Sequence, residues 1–199
     1  MKSVLISIQP KWCELIASGK KTVEVRKTKP KLETPFKCYI YCTKGETIYL
    51  PRDIFGKEAL NGKVIGEFVC DKVLKIYAHS MGYGVEVVHP FSDTFTKDTC
   101  LTIEQLSDYL KCNDGYGWHI SNLVIYDKPR ELSEFYTIDN EAVQKCEYRF
   151  QTYYNFTDTG YIKNGFACSY KDQWCDKCKT KPLTRPPQSW CYVESEDTE

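Results

Sequence analysis

The first 27 residues carry the clearest alternation of apolar and polar positions, and they predict a strand, a short helix and a second strand. Residues 4–8 form an apolar run typical of a buried strand. Pro10 suits the first turn of the helix, and Gly19 suits the position just after its end. Between them, apolar residues recur at the spacing of one helix face, at Trp12, Leu15 and Ile16.

The second strand, residues 22–27, is predicted to have one apolar and one charged face. Val23 and Val25 alternate with polar residues. The simplest interpretation is a solvated strand face with an ordinary ion pair, which would contribute about 0–1 kcal/mol. The other interpretation is a site, because the turn at the end of the helix gathers three charged side chains, Lys21, Glu24 and Arg26.

Two further strands are predicted in the next part of the chain. Residues 38–42 are strongly strand-like, and residues 62–76 alternate over one long strand, in which Gly66 marks a bulge or a barrel corner. Residues 77–100 contain several glycines and a proline and predict a long loop.

An amphipathic helix is predicted for residues 101–110. Thr102 is expected to cap its start, and Gln105 to complete a capping box. A strand at residues 123–126 is expected to end at Pro129.

The remaining chain divides by composition. We expect a barrel domain over residues 1–135, a Cys-rich insertion over 136–182 and a closing barrel strand over 183–193. The acidic residues 194–199 are expected to be a disordered tail.

Charge narrows the function classes. The 199 residues include 27 basic and 27 acidic side chains, and this neutral balance excludes a uniformly basic nucleic-acid binder. Any such site must therefore be a local patch, which the lysines of the first 31 residues supply. No apolar run reaches the roughly 18 residues of a membrane span, and no signal peptide is recognisable. We expect a cytoplasmic monomer without membrane contact.

A motif adds to these observations. The pattern Gly19-x-Lys21-x-x-Glu24-x-Arg26, together with residues 8–12 before it, resembles the ASCH domain, which is similar to the PUA domain of RNA-modifying enzymes. The resemblance covers about the first 130 residues. It implies a mostly β (α+β) fold, a PUA-like β-barrel of about five to seven strands with two or three short helices. The arrangement also resembles phage or prophage ASCH proteins.

The resemblance implies binding of RNA, a nucleotide or a nucleoside in a groove at this motif. The expected binding residues are Lys11, Lys21, Glu24, Arg26, Lys27, Trp118 and His119. For Trp118 and His119 the simpler interpretation is a core tryptophan beside a hydrogen-bonded histidine.

Two other function classes stay open. A hydrolase of modified nucleosides or RNA, an amidohydrolase or ribonuclease, would use Lys21 and Glu24 as catalytic residues. Glu24 stands where amidohydrolase relatives carry a nucleophilic threonine, for which Thr22 is the substitute at hand. The third class is a phage-type protein-interaction module. The sequence favours binding over catalysis, because clustered lysine and glutamate side chains are often structural.

The chain has eleven cysteines. Because cytoplasmic thiols are kept reduced, we do not expect these cysteines to form a disulfide framework. Cys175 and Cys178 have the C-x-x-C spacing of half a zinc site. Cys168 and Cys146 are the preferred remaining ligands of one structural zinc, with Cys191 as the other choice for the fourth. Unrelated free thiols are an equal alternative.

Overall fold

The computed structural model of the protein describes residues 3–45, 60–78, 85–86, 92–111, 113–137, 149–152, 156–157, 160–161, 165–168 and 181–195. The helices are α1 Pro10–Ala17, α2 Ser92–Thr99 and α3 Ile103–Leu110, with a 3-10 turn at Leu132–Glu134. The strands before residue 131 are β1 Ser3–Ile8, β2 Val23–Arg26, β3 Phe36–Cys42, β4 Val64–Cys70, β5 Val73–Ala78, β6 Val85–Glu86, β7 Gly115–His119 and β8 Ser121–Arg130. The later strands are β9 Phe135–Thr137, β10 Arg149–Thr152, β11 Phe156–Thr157, β12 Gly160–Tyr161, β13 Gly165–Cys168, β14 Lys181–Pro182 and β15 Trp190–Ser195.

The protein is mostly β, as predicted, but its sheets do not close into a barrel. Seven strands pair in the order β14-β9-β15-β1-β3-β4-β8, and four pair in the order β2-β7-β5-β6. In the described parts of the chain no strand pairing joins the edges of either sheet. The expectation of a closed barrel was therefore wrong, and the main core is formed by side chains of both sheets and of α1.

One reason for the open sheets lies in the segment predicted as a single strand over residues 62–76. The strand is interrupted at Asp71 and Lys72. As a result, β4 pairs in the large sheet, while β5 pairs with β7 in the small sheet. Gly66 lies at a register shift of β4, which agrees with the predicted bulge. A Cβ at this position would lie 2.4 Å from the Val124 carbonyl oxygen, so β8 approaches too closely for a side chain.

Helix α2 was missed in the predicted loop over residues 77–100. Phe95 is its main apolar contribution and is 1% exposed in a second core with Val23, Leu74 and Leu106. Helical periodicity needs several apolar residues, so one buried phenylalanine leaves no visible pattern.

Helix α3 has the predicted start. The Gln105 backbone N–H donates to Thr102 Oγ1 at 3.2 Å, and the Thr102 N–H donates to Gln105 Oε1 at 3.0 Å. This is the reciprocal capping box expected from the sequence. No helix in the described ranges is long and apolar enough to span a membrane.

The end of the chain returns to its beginning. Strand β15 pairs antiparallel with β1, and β1 pairs parallel with β3 on its other side. β15 continues through Glu194 and Ser195, beyond the predicted limit of the closing strand. Strand β8 likewise runs through Pro129 to Arg130, because β8 is an edge strand and a missing N–H can face outward there.

Candidate functional site

The three charged side chains that follow α1, Lys21, Glu24 and Arg26, are buried. Gly19 takes φ +71° just after the helix, and the backbone N–H groups of Lys20 and Lys21 both bond back to the Leu15 carbonyl oxygen. This tight turn delivers Lys21 directly to the start of β2. Lys21 is 2% exposed, and Glu24 and Arg26 are each 7% exposed. The solvated strand face is therefore wrong for these residues.

The three side chains form one ion-pair cluster, here called the buried triad (Lys21, Glu24, Arg26). Lys21 Nζ lies 3.3 Å from one Glu24 carboxylate oxygen, and an Arg26 terminal nitrogen lies 3.0 Å from the other. Two carbonyl oxygens complete the cluster. Lys21 Nζ donates to the Thr99 oxygen at 2.7 Å, and Arg26 donates to the Ser7 oxygen at 2.6 Å.

One nitrogen of the triad has unused donor capacity. Arg26 Nε is buried, and no hydrogen-bond partner for it lies in the described parts of the chain. A buried donor left unpaired costs free energy, on the order of 1–3 kcal/mol. Such a cost is tolerated most readily where a ligand or water supplies the missing acceptor.

The triad lies at a pocket of about 360 Å³. This is the lower part of the range of small-molecule sites, roughly 300–1,000 Å³. Its wall comes from β1, α1, β2 and α3, and the lining residues are Ser7, Ile8, Gln9, Trp12, Lys21, Glu24, Val25, Arg26, Leu101, Gln105, Asp108 and Tyr109. The lining therefore mixes aromatic rings with amides and both signs of charge.

Charges within the lining balance. Two cations, Lys21 and Arg26, face two carboxylates, Glu24 and Asp108. A pocket without formal net charge suits an uncharged polar group that presents both donors and acceptors. It is poorly suited to a phosphate, which binds best where cations are in excess.

Cations in excess lie at the two aromatic residues of the lining. Lys11 Nζ lies 4.5 Å from the centre of the Trp12 ring, and Lys27 Nζ lies 5.3 Å from the centre of the Tyr109 ring. Both lysines are exposed at the surface. The predicted residues Lys11 and Lys27 thus contact rings that line the pocket, although neither lysine belongs to the lining itself.

The electrostatic environment of Tyr109 reflects its place beside the triad. Burial raises the pKa of its hydroxyl, the charge of Arg26 opposes this, and Glu24 adds to the rise. The net pKa lies above the usual tyrosine value, so this hydroxyl is a hydrogen-bond donor at neutral pH.

Two predicted binding residues lie elsewhere. Trp118 is 0% exposed and packs edge-on against Phe36 in the core, so it offers no ring face to a base. His119 bonds through Nδ1 to Asp71 at 2.7 Å. Neither belongs to the pocket lining, and the simpler interpretation of a core tryptophan beside a hydrogen-bonded histidine describes them.

Thr22, the substitute for a nucleophilic threonine, is also outside the lining. Sequence reasoning in turn missed Asp108 and Tyr109, which α3 brings to the pocket. The signal for them was weak: α3 was predicted correctly, but a helix pattern does not show which strand it packs beside.

Metal binding at the predicted cysteines stays a prediction. Cys146, Cys175 and Cys178 lie outside the described residues, as does the side chain of Cys168. Within the described ranges no group of three His, Cys, Asp or Glu side chains is placed to hold a metal. Cys191, in β15, is a free thiol.

Comparison with known proteins gives one family. Residues 6–131 match the family model of the ASCH domain. A crystal structure of a tyrosine-to-phenylalanine mutant of the ASCH protein from Zymomonas mobilis is similar at 20% identity and a TM-score of 0.46, covering 66% of this chain and 77% of that one. The structure of the unmutated protein from the same organism is similar at 20% identity and a TM-score of 0.44, covering 65% of this chain and 73% of that one. Comparison with curated proteins gave no match.

Proposed function

Since this chain belongs to the ASCH domain family, we propose that its pocket binds the base of an RNA or nucleotide, while lysines at the pocket hold the phosphates. The observation that supports this most is the buried triad at a pocket with balanced charge. Guanidinium, ammonium and carboxylate groups offer donors and acceptors in fixed positions, which is what a nucleobase edge requires.

The aromatic residues support the same assignment. Trp12 and Tyr109 both line the pocket, and bases stack on such rings with about 1–3 kcal/mol per base. Lys11 and Lys27 lie over these rings and are the cations that we propose for the phosphate of a stacked nucleotide. A nucleotide would thus place its apolar faces, its polar edge and its charge against matching groups.

Variants of α3 provide the test because they leave the triad in place. Asp108→Asn and Tyr109→Ala should each weaken binding of a nucleotide or short RNA by about 5- to 150-fold, the equivalent of roughly 1–3 kcal/mol. Glu104→Gln is the matched control, since Glu104 is an exposed carboxylate of the same helix and is not part of the lining. Binding is measured by fluorescence anisotropy against nucleoside monophosphates and single-stranded RNA. Equal affinity of all three variants and the parent protein would exclude the pocket.

The hydrolase alternative is less well supported by this arrangement. Nucleophilic catalysis by a serine or threonine needs its hydroxyl beside a base that can take the proton. The Ser7 hydroxyl of the lining already donates to the Pro187 oxygen at 2.6 Å, and Lys21 is bonded to Thr99 and Glu24. We therefore expect no rapid hydrolysis of N4-acetylcytidine. Turnover that survives Glu24→Ala but is lost in Thr22→Ala would instead make Thr22 the nucleophile.

A further inference from the structure

A row of alternating tyrosine and lysine side chains leads away from the pocket across the small sheet. Arg26 of the triad pairs with Tyr116 on β7, and Tyr116 pairs with Lys75 on β5. Directly paired residues of neighbouring strands share one face of the sheet. Tyr77 follows Lys75 by two positions and lies on that same face. Two strand spacings of roughly 4.8 Å place Lys75 about 10 Å from the Arg26 position.

The side chains in this row contact one another. Lys75 Nζ lies 4.6 Å from the centre of the Tyr116 ring and 5.6 Å from that of Tyr77. Lys29 Nζ lies 5.9 Å from the Tyr116 ring centre. Tyr77 is 44% exposed, one of the most exposed large apolar side chains among the described residues. We call Lys29, Lys75, Tyr77 and Tyr116 the lysine–tyrosine row.

The loop that carries Lys29 is held in place from both sides. The Trp190 Nε1–H donates to the Thr28 hydroxyl at 3.0 Å, and the Lys31 backbone N–H donates to the Tyr192 hydroxyl at 2.7 Å. Lys29 thus extends from an anchored backbone. Ligand contacts made from fixed positions lose less conformational entropy on binding.

The row itself contains two lysines, Lys29 and Lys75, and no acidic residue. Asp114 lies 2.8 Å from Lys75 Nζ, and Glu86 of β6 pairs with Tyr77 at the far end of the row. Lys27, which lies over the Tyr109 ring of the pocket lining, adds a further cation at the near end. Interleaved cations and exposed aromatic rings are the features of surfaces that bind single-stranded nucleic acid, because lysines follow the backbone while rings stack the bases.

From this juxtaposition we infer that the lysine–tyrosine row extends the pocket into a binding track for single-stranded nucleic acid. One base occupies the pocket, and neighbouring nucleotides follow the row toward Tyr77. The inference rests on the proposed function, and it makes the ligand an oligonucleotide rather than a free nucleoside.

The test compares two ligands and two sets of variants by fluorescence anisotropy. The ligands are a nucleoside monophosphate and a labelled single-stranded RNA of about eight nucleotides, within the site sizes typical of such surfaces. Tyr77→Ala and Lys75→Gln should weaken RNA binding by about 5- to 150-fold and leave monophosphate binding unchanged. Tyr77→Phe keeps the ring and should bind as the parent protein does.

Lys37→Gln is the matched control. Its Nζ also lies over a tyrosine ring, 5.6 Å from the centre of Tyr39, but on β3 of the large sheet, and Tyr39 is 1% exposed. This variant should retain RNA affinity. Equal loss in Lys37→Gln would show a general charge effect and would overturn the track.

The outcomes separate the two proposals. If Tyr109→Ala weakens both ligands while the row variants weaken neither, the track is wrong and the pocket stands. If the row variants weaken RNA binding and Tyr109→Ala has no effect, the row binds RNA without the pocket, and both the pocket assignment and its extension by the row are wrong. A strand of the same length without bases should bind more weakly than the RNA, and equal binding would remove the stacking role of Tyr77.

Discussion

Burial of the triad predicts that the Glu24→Gln substitution destabilises the fold. The change removes the carboxylate that pairs with both Lys21 and Arg26. It leaves these two buried cations without a countercharge. Breaking a buried ion pair by removing one partner costs about 3–5 kcal/mol. We expect the lower end, about 3 kcal/mol, because both cations keep their carbonyl partners at Thr99 and Ser7.

The expected loss is large enough to measure by urea unfolding and by thermal denaturation. For a chain of 150–250 residues, 1 kcal/mol corresponds to roughly 2–4 °C, so Glu24→Gln should lower the melting temperature by about 6–12 °C. Lys37→Gln is the control, since its ion pair with Glu67 is 40% and 24% exposed and should contribute no more than about 1 kcal/mol.

A double-mutant cycle separates charge from packing. Removing Lys21 as well, by Lys21→Met, relieves part of the repulsion that Glu24→Gln creates. The Glu24→Gln change should therefore cost at least about 1 kcal/mol less in the Lys21→Met background, within the coupling range of neighbouring residues. A loss below about 1 kcal/mol for Glu24→Gln alone would refute the reasoning, because it would mean that the charges are solvated as in an ordinary surface ion pair.

Three further substitutions or conditions have expected outcomes. Gly66→Ala should destabilise the protein by about 1–3 kcal/mol in urea unfolding, because its Cβ would lie 2.4 Å from the Val124 oxygen; unchanged stability would mean that β8 can move aside. Burial alone would raise the pKa of Asp71, but the hydrogen bond and charge of His119 lower it below the usual aspartate value. The Asp71 carboxylate therefore stabilises the fold above its unfolded pKa and loses that contribution as the pH falls through its lower folded pKa. Stability measured from pH 6 to pH 2 should therefore fall less steeply in Asp71→Asn, and parallel curves would contradict the linkage. Burial raises the pKa of the Cys70 thiol to about 12, so iodoacetamide should label it only when the protein is unfolded, as mass spectrometry would show.

Several elements were determined by local sequence alone. Helix α1 starts at Pro10 and is followed by the turn at Gly19, and α3 starts after the capping box of Thr102 and Gln105. Both features are readable from the sequence because caps and turns depend on neighbouring backbone groups. The Gly-x-Lys-x-x-Glu-x-Arg spacing also placed three charges together, since a glycine turn followed by a strand fixes which side chains meet.

Tertiary structure decided where those charges lie. The Thr99 oxygen that accepts from Lys21 is 78 residues away, on the missed helix α2, and the Ser7 segment is fastened by Pro187, 180 residues away. A periodic pattern shows which side chains share a face, but burial depends on what covers that face. The same limit explains why a closed barrel was wrongly expected. The interruption at Asp71 places β5 in the small sheet, where it pairs with β7. Which strands pair is set by long-range packing, which the alternation along one strand does not encode.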